Sequence, residues 1–99
     1  MIDALAIAGS ALMAQSTNVD VIAGNVANAT TPNYTAKQAQ FVPMNPGGGV
    51  SVGAIIDTGQ SVDITNEMVD LMTAKTAYQA ALNVVTTTQQ MTNSLLAAV

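Results

Sequence analysis

Leu5, Leu12, Val19 and Val26 stand seven residues apart, and Ala8, Gln15, Ile22 and Ala29 follow each of them by three. A seven-residue repeat of this kind holds one stripe of a helix against a partner helix along its whole length. Towards the other end, Ile64, Leu71, Tyr78, Val85, Thr92 and Val99 form a second stripe, with Met68, Lys75, Leu82, Gln89 and Leu96 between them. The pattern predicts one helix over Asp3–Asn28 and a second from Asp63 to about Leu96. A helix of about 30 residues is a rod roughly 45 Å long. Two such rods cannot enclose a globular core between them, but they pair as an antiparallel coiled-coil hairpin. The pairing expected is Leu71, Tyr78, Leu82 and Val85, flanked by Ile64 and Met68, against Leu5, Leu12, Val19 and Val26.

Local signals set the ends. Asp3 is read as an N-cap, where its charge suits the start of a helix. Pro32 stops the first helix, because the residue before it, Thr31, is pushed out of the helical region. Gly9 and Gly24 lower helix propensity and permit close approach of another backbone. Thr30 to Val62 holds all three prolines and five of the seven glycines. Within it, Ala36–Val42 and Val50–Ile56 read as two short strands joined by Pro43-Met44-Asn45-Pro46-Gly47-Gly48-Gly49, a β-hairpin with an open loop. The organisation is therefore a mainly α chain: residues 1–29 a helix, 30–62 a Pro/Gly-containing hairpin or loop, 63–99 a helix. Gly47 to Gly49, as loop-tip residues, are expected to accept substitution.

Composition enters when the faces of these helices are considered. Only 8% of the 99 residues are charged, against about 25% in an ordinary soluble domain. Not one charge occurs from Ala4 to Val19, from Val21 to Ala36, or from Thr76 to Val99. The polar positions are instead Thr, Gln, Asn and Ser, which tolerate burial when hydrogen-bonded. Seventeen residues are alanine and tryptophan is absent, so the core has little large side chain to bury. A backbone entropy cost of ~1–2 kcal/mol per residue weighs heavily on such a chain. The isolated chain is expected to stay partly disordered until copies of itself or a partner complete the core. Met68, Met72 and Tyr78 are the side chains expected to meet other subunits.

Several functions are disfavoured on the same grounds. Lys37 and Lys75 are the only basic residues, which leaves no electropositive face for nucleic acid. With no cysteine and no histidine, thiolate metal sites, disulfides and the usual general base are missing. The first residues, Met-Ile-Asp-Ala-Leu, lack the basic start of a secretory signal. No apolar run reaches the roughly 18 residues of a membrane span, and a neutral polar face is unlike that of a surface-lying membrane helix. Asp63, Glu67 and Asp70 share one helical face and raise the alternative of a small carboxylate metal-binding or acid/base module. The simpler reading is that acidic residues favour a helix start. Gly47-Gly48-Gly49 lacks the Lys-Ser/Thr of a phosphate loop. The Asn28-Ala29-Thr30 and Asn33-Tyr34-Thr35 sequons are short patterns that stabilised turns also produce. No catalytic constellation and no cofactor motif is present in the sequence.

Two stretches carry a resemblance. Asn25-Val26-Ala27-Asn28-Ala29-Thr30-Thr31-Pro32-Asn33-Tyr34 resembles the N-terminal signature of bacterial flagellar rod and hook proteins, Asn-(apolar)-Ala-Asn-x-x-Thr-Pro-Gly-Tyr. Asn66-Glu67-Met68-Val69-Asp70-Leu71-Met72-Thr73-Ala74-Lys75-Thr76-Ala77-Tyr78-Gln79-Ala80 is similar to the same family's C-terminal signature. The resemblance implies terminal helices that pair and stack in a tubular axial polymer of this chain and other rod-type subunits. It also implies export through the flagellar type III apparatus and a place in the basal-body rod, or in a separate extracellular filament derived from that family. Two departures stand out: Asn33 replaces the usual glycine, and the middle of the chain is short. Asparagine also tolerates a left-handed backbone.

Overall fold

The computed structural model describes residues 2–45 and 47–98. Helix α1 (Ile2–Ala27) leads into strands β1 (Lys37–Pro43) and β2 (Val50–Asp57), and helix α2 (Ile64–Ala98) completes the chain. The two helices pair as an antiparallel coiled-coil hairpin, with the short β-hairpin inserted between them. Asp3 lies inside the first turn of α1 and not before it. Val99 and Pro46, which close the second stripe and open the glycine run, lie outside the described residues.

The hairpin is folded back along α1. Its strands run antiparallel from Lys37 opposite Asp57 to Pro43 opposite Val50. The register slips between Gln40 (opposite Ala54) and Phe41 (opposite Val52), which leaves Gly53 as a bulge. A Cβ at Gly53 would come within 2.8 Å of Val42, so the bulge needs glycine. Strands of this length span about 25 Å, close to the ~23 Å that α1 rises between Ser10 and Asn25. The hairpin thus covers α1 from one to the other. At its tip, Met44 N–H donates to the Gly49 carbonyl and Val50 N–H donates to Ser10 Oγ.

That tip does not behave as an open loop. Gly47, Gly48 and Gly49 all have positive φ, and a Cβ on Gly49 would lie 2.7 Å from Ser10 Oγ. The expected tolerance to substitution is therefore corrected: the tip is pressed onto α1 in a conformation that L side chains resist.

The α1–α2 seam is built from small residues. On α2 the buried positions are Glu67, Ala74, Ala81 and Thr88, one per heptad, with Leu71 and Val85 half-buried between them. On α1, Ala8, Ala14, Ile22 and Asn25 are buried, Ala14 and Asn25 on the side that meets the β-hairpin. The result is thin and long, 62 × 25 × 14 Å. Its accessible surface of 6636 Å² exceeds the about 5,200 Å² of a compact monomer of this mass. α2, at 35 residues against 26 for α1, runs past its partner, and every described residue from Gln89 onward is exposed.

Candidate functional site

The segment after α1 is a chain of local hydrogen bonds that aims the hairpin. Asn28 N–H donates to the Gly24 carbonyl at 3.1 Å, Thr31 N–H to the Asn28 carbonyl at 3.0 Å, and Tyr34 N–H to the Thr31 carbonyl at 3.3 Å. The Asn28 side chain donates back to the Gly24 carbonyl and accepts from the Thr31 hydroxyl. Pro32 is exposed at the apex. Asn33 follows with φ 64°, the left-handed conformation in which asparagine stands in for glycine.

Asn25 then fixes the hairpin to the helix. It is 1% exposed, and its amide donates to the Lys37 carbonyl while its Oδ1 accepts from the Lys37 N–H, both at 2.8 Å. A side-chain amide so placed replaces a neighbouring strand for one residue pair of β1, leaving no orphaned backbone group there. Beside it, Lys37 Nζ lies 3.1 Å from Asp57 Oδ2 and 4.8 Å from the centre of the Tyr34 ring. Asp57 is held at a pKa of about 2 by the Thr35 hydroxyl first, then the Gly59 N–H and the Lys37 ammonium.

Asp63 caps α2. Its Oδ1 accepts from the N–H groups of Thr65 and Asn66, and its Oδ2 from the Asn66 amide. Side-chain oxygens in this position satisfy the orphaned donors of a first turn. Glu67 is buried one turn on, and Asp70 is exposed. Among the described residues no group of three His, Cys, Asp or Glu side chains is placed to hold a metal ion.

The ten candidate pairing residues divide by position. Leu12, Val19, Leu71 and Val85 are half-buried along the helix contact. Leu5, Val26, Ile64, Met68, Tyr78 and Leu82 are exposed by 37–47%. Val19, Leu71, Tyr78 and Leu82 come together in one groove, which Ser16, Asp20, Lys75 and Gln79 also line. Ala74, Ala81 and Thr88 were not singled out by the sequence reading. Their signal was the small residue three positions after Leu71, Tyr78 and Val85, where the larger residue four positions after was preferred. Further apolar side chains stand uncovered on α2: Val69, Met72, Val84, Met91, Leu95 and Leu96.

A long helical hairpin with motif residues spent on shape, and with uncovered apolar faces, defines a structural protein. Residues 5–35 match the family model described as flagella basal body rod protein, and residues 58–98 match that of the flagellar basal body rod FlgEFG protein C-terminal. The chain is 38% identical to the flagellar basal-body rod protein FlgC of Yersinia enterocolitica, covering 86% of this chain and 87% of that one. It is 37% identical, with the same coverage, to FlgC of Salmonella typhimurium and of Escherichia coli O157:H7. This chain belongs to the flagellar basal-body rod family. The 117 aligned positions exceed its 99 residues, so these relatives carry residues with no counterpart here. Residues 36–57, essentially the β-hairpin, fall between the two family models.

Proposed function

We propose that this chain is a non-enzymatic protomer that assembles with copies of itself, and with other rod-type subunits, into a helical tube of the exported basal-body rod. The observation that carries the reading is the uncovered side of α2. Met68, Val69, Met72, Val84, Met91 and Leu95 are 45–68% exposed, on a helix that has no charge after Lys75. Apolar surface of this extent is rare on monomers and marks a contact face. Among the described residues no helix is long and apolar enough to cross a membrane. The exposed members of the stripes, Leu5, Val26, Ile64, Tyr78 and Leu82, would serve the same contacts, each closing against a neighbouring copy.

Electron microscopy and sedimentation of the concentrated protein test this. The parent is expected to form tubes that pellet. Met72→Glu and Leu95→Glu, both on exposed positions, are expected to keep the helix content and lose the pellet. A parent that stays monomeric at high concentration overturns the reading.

A further inference from the structure

Every methionine among the described residues faces outward. Met13 is 75% exposed, Met72 68%, Met91 51%, Met68 47% and Met44 44%. The buried apolar positions are taken by Ala8, Ala14, Ile22, Ala36, Ala74 and Ala81 instead. The three most exposed methionines stand in three separate apolar hollows. Met13 lies with Ala14 and Val52 between α1 and the hairpin, Met72 with Val69 and Ala80 on α2, and Met91 with Leu95 further along α2. A flexible thioether suits such places, because it adapts to an irregular contact surface. The chain has no cysteine, so its thioethers are the sulfur atoms open to oxidation.

We propose that Met13, Met72 and Met91 are sites of sulfoxide formation by hydroperoxides, and that this modification bars the unassembled chain from the tube. The proposal rests on the self-assembly reading above and adds a redox condition to it. A lone pair on Sδ takes the terminal oxygen of the hydroperoxide, so that an S–O bond forms as the O–O bond breaks. The proton on the transferred oxygen passes to the leaving alkoxide or hydroxide, which departs as alcohol or water. Sulfur loses two electrons and the peroxide gains them. The product is a polar side chain where an apolar one stood. Its new acceptor, shut into a dry contact beside Val69 or Leu95 without a donor, opposes that contact. None of the three positions belongs to the packed seam, so the helical hairpin keeps its own packing. Within a tube the same sulfurs are covered, and peroxide reaches them only before assembly.

Hydrogen peroxide applied to the unassembled chain, and then removed, tests this. Peptide mass spectrometry is expected to find Met13 and Met72 oxidised ahead of Met44 and Met68. Circular dichroism should stay unchanged while the critical concentration for assembly rises about tenfold or more. The triple variant Met13→Leu, Met72→Leu, Met91→Leu keeps the apolar bulk. It is expected to assemble like the parent, with or without peroxide treatment. Preformed tubes are expected to resist oxidation at all three positions. An oxidised parent that assembles like the untreated one overturns the proposal while assembly itself stands. So does a loss of helix on oxidation, a triple variant that peroxide still blocks, or tubes oxidised as fast as the free chain. Failure of the untreated parent to assemble overturns both readings together.

Discussion

Helix α1 is covered on two sides, by α2 along one stripe and by the β-hairpin along another, whereas α2 meets α1 alone. The sequence difference behind this is small, since both helices are alanine-rich and nearly uncharged. What separates them is the polar anchoring. α1 carries Ser10 and Asn25, whose side chains bond to the backbones of Val50 and Lys37. The hydroxyls of α2 at Thr73, Thr76 and Thr86 return to carbonyls of their own helix. Two side chains placed to meet strand backbone make α1 the centre of a folded unit. Their absence leaves α2 with one covered stripe and the rest of its surface free.

The comparison is broken most severely by Asn25→Leu. Both the N–H and the carbonyl of Lys37 lose their partner in a buried place, at a cost of about 3 kcal/mol. The Lys37 amide is expected to lose its hydrogen-exchange protection, and the hairpin its hold on α1. Ala74→Leu comes next, since 2% exposure leaves no room in the seam, and overpacking costs about 2 kcal/mol. Thermal unfolding should register it, while Leu82→Ala, at 45% exposure, should leave that transition nearly unmoved and weaken only assembly. Gly49→Ala is expected to cost about 1–2 kcal/mol through its left-handed backbone, and to free the Val50 amide from Ser10.

The smallest effect sharpens the same contrast by pH. The folded structure depresses the Asp57 pKa to about 2, below the ~3.9 of an unfolded aspartate. Its contribution is therefore complete above about pH 4 and fades as pH falls towards 2. The amide signals of Gly59 and Lys37 should follow that titration, and those of residues 89–98 on α2 should not.

The two regions also differ in how far the sequence revealed them. The helices and strands could be placed almost to the residue, because heptad spacing and the prolines and glycines of the middle are local signals. The face of α2 could not. Large apolar residues at Met68 and Leu82 outweighed Ala74 and Ala81 in the pattern, yet close helix approach selects the small side chains. Asn25 was visible as part of a family signature, but its bond to Lys37 depends on the hairpin folding back, which no nearby residue announces. Gly47 to Gly49 failed as an open loop for the same reason.

The overhang of α2 has a consequence for any row of copies. Towards one extremity of the protomer the last described turns of α2 expose Met91, Leu95 and Leu96, and the other offers the hairpin base with its acidic cleft. A row of equivalent copies therefore has two unlike tips. In the assembly proposed above, an arriving subunit would meet apolar side chains at one and carboxylates at the other, so the two tips would grow at different rates, and salt would act mainly on the second.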